Sequence, residues 1–308
     1  MGADVDSAVS ALLRGELAIL PTETVYGLAC DAGNARAVAA VFEAKGRPRF
    51  NPLIAHVTGL EAALAIAQLD ARARRLAEAF WPGPLTLVAP IEDASAVCDL
   101  ARAGLDTVAV RAPDHPLAQA VLAALGRPVA APSANRSGRP SPTTYADAVE
   151  ETGAFAAAAL DGGPCRVGLE STVLGQVGGE LVLLRPGAVT REAIEEVAGP
   201  IAEGLGEGHR SPGRLARHYA PSKPLRLDVA EPSPGAAWLA FGTAAAGRPL
   251  TFNLSPTGDL AEAAANLFAF LRAADRSEAA TIEAAPIPPA GLGEAINDRL
   301  RRAAGQVG

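Results

Sequence analysis

Glu16-Leu17-Ala18-Ile19-Leu20-Pro21-Thr22-Glu23-Thr24 reads as a short apolar strand, stopped by proline and followed at once by a polar loop. In an open α/β sheet, ligands sit outside the carboxyl ends of the strands, so Thr22–Thr24 is where a ligand loop is expected. A turn leading into a helix N-cap explains the same residues, and the stretch alone does not separate the two readings.

Outward from it the pattern alternates. A helix is expected over 34–45, with Asn34 as N-cap and Ala35, Val38, Val41 and Phe42 at helical spacing. Residues 53–57 read as a strand. Residues 60–80 read as one helix, closing before Trp81-Pro82-Gly83-Pro84. Strands are expected at 85–89, 107–111, 129–132 and 181–185. Helices are expected at 115–125, with Gly126 as C-cap, and at 143–151 and 190–198. Directly consecutive strands predict a mixed sheet. A smaller α/β unit follows, with strands near 225–229, 236–241 and 250–253 and helices over 259–274 and 293–304. Between the units the chain is rich in Gly and Pro, yet it holds Arg217-His218-Tyr219, more than a spacer needs. The expected organisation is a main domain over 1–204, a linker over 205–224 and a small domain over 225–308.

At 308 residues the chain is long enough for two domains. With 49% hydrophobic and 20% charged residues it has the composition of an ordinary soluble protein. No apolar run reaches the roughly 18–20 residues of a membrane span, and no secretory signal is visible, so a cytoplasmic protein is expected. Cys30, Cys98 and Cys165 are odd in number and far apart, as expected for reduced thiols rather than a disulfide framework. Residues 1–204 hold 16 basic and 24 acidic residues, a net −8, whereas residues 205–308 carry a net +1. That balance argues against a phosphate-backbone binder, without excluding a local basic patch.

P-loop, HExxH, paired CxxC and GxSxG patterns are absent, and the four histidines are scattered. The residues with chemical promise lie in three loops. The first is Thr22–Thr24. The second is Lys45-Gly46-Arg47-Pro48 with Asn51 and His56. Only two lysines stand against 25 arginines, so a lysine here suggests a compact point charge beside the arginine fork. The pair suits phosphate oxygens; a solvated charged turn is the plain alternative. The third is Ala131-Pro132-Ser133-Ala134-Asn135-Arg136-Ser137-Gly138-Arg139-Pro140-Ser141-Pro142-Thr143, whose hydroxyls, amide and exposed N–H groups suit an anion, or equally a surface turn. Thr107, Arg111, Glu170-Ser171 and Arg185 add polar positions beside strands.

Together these stretches resemble the YrdC-like threonylcarbamoyl-AMP synthase family. The matching segments are PTETVYGL at 21–28, KGRPRFNPLIAH at 45–56, WPGPLTLV at 81–88, TVAVRAPDHP at 107–116, APSANRSGRPSPT at 131–143, ESTV at 170–173 and LLRPGAV at 183–189. SPGRLARHYAPSKP at 211–224 and GLGEAINDRLRRAA at 291–304 resemble its long, two-domain branch. The resemblance implies a twisted mixed α/β sheet and a smaller Rossmann-like α/β domain. It implies condensation of L-threonine, bicarbonate and ATP to L-threonylcarbamoyl-AMP, with release of pyrophosphate.

Carried over by position, Lys45, Arg47, Ser133 and Asn135 form the catalytic set around the nucleotide. Asn51, Thr107, Ser141, Arg185 and Tyr219 match further ATP positions. Thr24, His56, Arg111, the Ala131 backbone and Ser171 match L-threonine positions. Mg²⁺ is expected with ATP, its ligands unassigned. Separate proteins would then carry the threonylcarbamoyl group to tRNA, and tRNA itself is not expected to bind strongly. The linker with Tyr219 is expected to cover the site. The alternative that the same fold allows is an RNA-binding or ribosome-maturation factor.

Overall fold

The computed structural model describes residues 2–203, 218–243 and 248–306. Of the expected linker, 205–217 lie outside the described residues.

The chain opens with α1 (Gly2–Leu13), β1 (Leu17–Leu20), β2 (Gly27–Asp31) and α2 (Ala35–Lys45). Asn34 caps α2 as expected, its side chain accepting the N–H groups of Arg36 and Ala37 at 3.1 and 3.2 Å. Gly46 ends the helix in the left-handed region, at φ 59°, which glycine adopts without cost. That stop turns the chain sharply after Lys45 and aims Arg47 back toward the sheet. There follow β3 (Ile54–His56), α3 (Leu60–Leu64), α4 (Ala71–Phe80), β4 (Leu85–Pro90), α5 (Asp99–Arg102), β5 (Thr107–Arg111) and α6 (Pro116–Leu125). Next come β6 (Val129–Ala130), α7 (Tyr145–Thr152), β7 (Ala156–Ala159), β8 (Thr172–Val177), β9 (Glu180–Arg185), α8 (Arg191–Ala198) and β10 (Ala202–Glu203).

These strands form one sheet in the order β10-β9-β8-β4-β5-β3-β6-β2-β1-β7. It is mixed, as expected: β3 and β5 are parallel, β4 and β5 antiparallel, β4 and β8 parallel, β8 and β9 antiparallel. The second unit holds β11 (Leu225–Arg226), β12 (Ala237–Ala240), β13 (Thr251–Asn253) and β14 (Ile282–Ala284), with α9 (Leu260–Arg276) and α10 (Leu292–Ala303). Its sheet, β11-β14-β12-β13, is parallel throughout, as a Rossmann-like unit requires. No described helix is long and apolar enough to cross a membrane. Cys30 and Cys165 are buried free thiols, and Cys98 is half-buried and free.

One expectation is corrected. Residues 60–80 are not a single helix. The Gln68 N–H donates to Pro90 O at 2.9 Å, and Ala67 bridges Ile91, so the chain here pairs with the end of β4 instead of with itself. Asp70 then restarts the helix, accepting the Ala73 N–H at 2.8 Å. α1, β2, α5, β7, β8, β10 and β14 have no counterpart among the expected elements. β2 is buried along its whole length, so it lacks the alternation that marks a half-buried strand.

Val38, Val41, Phe42, Leu76 and Leu87 belong to the core of the large sheet, whereas Leu239, Phe268, Leu271 and Ile296 make that of the small one. The second core is shared. Val25, Leu169 and Tyr219 pack into it, so the small unit closes over the polar loops of the large one. Arg272 pairs with Glu151 at 3.1 Å and Arg276 with Asp147 at 2.6 Å across the same face.

Candidate active site

The polar loops converge on a small cavity against the large sheet. Its walls come from Thr24 and Val25, from Arg47, from Pro52, Leu53, Ile54 and His56, from Arg111, from Ala131 to Ser133, from Glu170 and Ser171, from Arg185, and from His218 and Tyr219. The expectation that ligand groups lie outside the carboxyl ends of strands holds only in part. Arg111, Arg185 and His56 end β5, β9 and β3, but Ile54 begins β3, and Glu170 and Ser171 lead into β8. In a mixed sheet, antiparallel neighbours bring opposite ends to one place, so the cavity also uses strand starts.

Thr22 folds the first loop. Its hydroxyl donates to Val25 O at 2.6 Å and accepts the Thr24 and Val25 N–H groups at 3.2 Å. That turn buries Glu23, whose Oε1 takes Arg111 Nη2 at 2.6 Å while Arg111 Nε holds Gly83 O at 3.2 Å. Arg47 donates to Asn51 O at 3.2 Å and Pro52 O at 3.0 Å, two of its five N–H groups. Arg185 Nη2 donates to Ser171 O at 2.8 Å and to Ser171 Oγ at 3.2 Å. Thr86 and Ser171 share a hydrogen bond of 2.7 Å.

Lys45 stands one layer behind the wall, its ammonium donating to Ser133 O and Asn135 O. It fixes the third loop against α2. Asn135 Nδ2 holds that loop further, through Arg136 O at 2.8 Å and Arg139 O at 3.0 Å. Ser141 is also behind the wall, donating to Glu170 Oε1 at 2.6 Å. Asn51 is buried in the Arg47 turn. Of the fourteen residues singled out by resemblance, nine line the cavity: Thr24, Arg47, His56, Arg111, Ala131, Ser133, Ser171, Arg185 and Tyr219. Lys45, Asn51, Asn135 and Ser141 support it. Thr107 is set apart. It shares a face with Arg111 but starts β5, about 13 Å along the strand.

Burial lowers the Lys45 ammonium well below its ordinary value, with Arg47 adding to the effect. Burial, then the Arg185 charge, brings the Arg47 guanidinium to about 10, against the opposing influence of Tyr219. Burial, then the Arg111 charge, takes His56 down to about 3, and burial does the same to His218. Both imidazoles are therefore neutral acceptors at pH 7. Among the described residues nine buried side-chain polar atoms have no hydrogen-bond partner, and five belong here: Glu23 Oε2, Asn51 Oδ1, His56 Nδ1, Asn135 Oδ1 and His218 Nδ1. Concentrated unsatisfied polarity under a cluster of cations is the mark of a site built for a polar, anionic ligand.

Acid stability follows from the histidines. The unfolded chain takes up their protons as pH falls below 6.5, but the folded chain refuses them until about pH 3. Stability is therefore lost between those values, by on the order of a few kcal/mol per histidine at full extent. Thermal melts from pH 7.5 down to 4 should fall steadily, and less steeply in His56→Gln.

Glu23, Glu170 and His218 join the site without a sequence signal that assigns them a role. A buried carboxylate beside an arginine has no local signature, because its partner lies 88 positions away for Glu23 and 129 for Glu170.

Residues 10–187 match the Sua5/YciO/YrdC family model, whose description is "Telomere recombination". The chain belongs to the Sua5/YciO/YrdC family. Residues 189–305 match the "Threonylcarbamoyl-AMP synthase, C-terminal domain". The threonylcarbamoyl-AMP synthase of Bacillus subtilis is 38% identical, across 98% of this chain and 93% of its own. That of Pyrococcus abyssi is 39% identical, across 97% of this chain and 93% of its own. The crystal structure of P. abyssi Sua5 complexed with L-threonine superimposes with a TM-score of 0.90 at 37% identity, covering 98% of this chain and 94% of that one. The Sua5/YciO/YrdC fold and the two-unit organisation of the synthases thus extend over nearly all of this sequence.

Proposed function

We propose that this chain is an L-threonylcarbamoyladenylate synthase, a nucleotidyltransferase that makes L-threonylcarbamoyl-AMP and pyrophosphate from L-threonine, bicarbonate and ATP. The observation that carries the reading is the convergence of Arg47, Arg111, Arg185 and the Lys45-held Ser133–Asn135 loop on one buried cavity. The product supplies the first step of threonylcarbamoyladenosine formation in tRNA, and other proteins of the cytoplasm move the group onward.

The threonine amine attacks the bicarbonate carbon; water leaves and a carbamate forms. A carbamate oxygen then attacks the α-phosphorus, and pyrophosphate departs. Charge grows on the α-phosphoryl and leaving oxygens, where Lys45 and Arg47 would stabilise it. Ser133, Asn135, Asn51, Ser141, Arg185 and Tyr219 would complete the nucleotide site, whereas Thr107 stands too far along β5 to join it. Arg111, oriented by Glu23 and Gly83 O, would present its fork to the threonine carboxylate. Thr24, neutral His56, the Ala131 backbone and Ser171 would bind the rest of the amino acid. Holding three substrates together provides much of the rate, and no covalent nucleophile is needed.

Magnesium is taken to arrive with the nucleotide as part of the substrate. The buried carboxylates Glu23 and Glu170 are engaged by arginines. No three His, Cys, Asp or Glu side chains of the described residues gather as ligands.

The cavity encloses about 50 Å³. A pocket for a ligand of nucleotide size holds roughly 300–1,000 Å³. His218 and Tyr219 wall the cavity, and Tyr219 stands at a positive φ of 61°, a costly conformation for a side chain of its size. ATP binding would move this pair aside, as a lid that reseals over labile carbamate and anhydride.

The test is pyrophosphate release from ATP, with threonine and bicarbonate each omitted in turn. Release should require both. ATP turnover indifferent to threonine would overturn the reading.

A further inference from the structure

Arg299 lies on α10 in the small unit, and its side chain is 1% exposed. A guanidinium so deeply buried costs several kcal/mol unless its N–H groups find acceptors. They do. Nε donates to Glu170 Oε2 at 2.8 Å, Nη2 to Pro186 O at 3.0 Å and Nη1 to Asp298 Oδ2 at 2.6 Å. The charge also sits 5.2 Å from the centroid of the Tyr219 ring.

Asp298 is the chain neighbour of Arg299, but Glu170 and Pro186 belong to the large unit. One leads into β8 and the other leaves β9. Gly187 packs so closely there that a Cβ would come within 2.4–2.6 Å of the Thr172, Ser171 and Glu170 backbone. Glu170 in turn accepts the Ser141 hydroxyl. One side chain therefore ties together Ser141, the Glu170–Ser171 wall, the turn after β9 and the covering tyrosine. Attachment of the two units does not require this, since Arg272 and Arg276 already clamp α9 to α7.

We propose that Arg299 is a positioning residue of the active site, holding the Glu170–Ser171 wall and the Tyr219 ring in the geometry that the substrates require. The proposal rests on the synthase reading, and it makes the small unit part of the site.

Glu170 supplies the readout. Burial pushes its carboxyl up, but the Arg299 and Arg185 charges and the Ser141 hydroxyl outweigh this and hold it below its ordinary value. The Tyr219 phenol and the His218 imidazole also face it, and Asp298 stands behind Arg299. Without Arg299 that carboxyl titrates higher, and the acidic limb of the rate profile moves up in pH.

The full chain and its Arg299→Met, Arg299→Lys and Arg276→Ala variants are compared in pyrophosphate release across pH, each with a thermal melt. Arg299→Met, at temperatures where it is folded, should lose on the order of 10²-fold in kcat/KM, with its acidic limb raised. Arg299→Lys keeps the charge but not the fork, so it should keep the limb and recover only part of the rate. Arg276→Ala should match the parent. An Arg299→Met variant with the parental limb, losing activity only in proportion to its unfolded fraction, overturns the proposal. If that variant does not fold, Arg299→Lys decides, and a parental kcat/KM overturns the proposal. Threonine-independent turnover in the parent refutes the synthase reading alone. The same variants are then compared in ATP affinity, where a loss in Arg299→Met beyond Arg276→Ala supports the positioning role and equal affinities overturn it.

Discussion

Lys45→Met leaves a folded protein with almost no pyrophosphate release. The two effects separate because the ammonium is costly to the fold and, on the proposed mechanism, useful to the reaction. Lys45 is 3% exposed, and its charge is disfavoured there by burial and by Arg47. Methionine removes that cost and nearly preserves the volume. Against this, Ser133 O and Asn135 O lose their donor, at about 1–3 kcal/mol for each buried acceptor left unpaired. The opposing contributions should leave the melting temperature within several degrees of the parent. The rate has no such compensation. Losing a preorganised charge at a developing oxyanion costs on the order of 10²–10³-fold in kcat. Chemical denaturation beside the pyrophosphate assay checks both halves. A variant that fails to fold would make Lys45 a structural residue and remove it from the catalytic set.

Arg111→Met should do the reverse and damage both fold and function. Glu23 is buried and pairs with Arg111 through Oε1, and its Oε2 has no partner. Removing the arginine strands a carboxylate away from water, at about 3–5 kcal/mol. Threonine dependence should vanish with it, if Arg111 binds the substrate carboxylate. The double variant Glu23→Gln/Arg111→Met separates these losses. Neutralising the stranded carboxylate should recover most of the stability, while threonine use stays absent. Recovery of threonine-dependent turnover in the double variant would show that Arg111 only balances Glu23.

Much of the frame was legible in the sequence because its causes are local. Asn34, Gly46 and Gly126 act on the backbone within a turn of their own positions, and α2 and α6 end where these residues put them. β5 was read to its exact bounds, since Thr107-Val108-Ala109-Val110-Arg111 is β-branched and isolated by turns. The three loops were recognised from segments of up to thirteen residues, whose order alone identified the family.

The remainder depends on partners far along the chain. The break between α3 and α4 comes from pairing with the end of β4, which competes with a helical periodicity that the sequence does show. β2 gives no alternation because both its faces are covered. Likewise His218, conspicuous beside Tyr219 but without a role legible in its own stretch, becomes a cavity wall only because the small unit closes on the large one.

By itself, then, the sequence determined the bounds of α2, α6 and β5, the mixed α/β class and the polar loops, most of them set by interactions within a few residues. Only the tertiary structure decided which charges of those loops are paired and buried. Glu23 meets Arg111 across 88 positions and Glu170 meets Arg299 across 129. Desolvation and Coulomb attraction depend on distance in space and on exclusion of water, and neither can be read from distance along a chain.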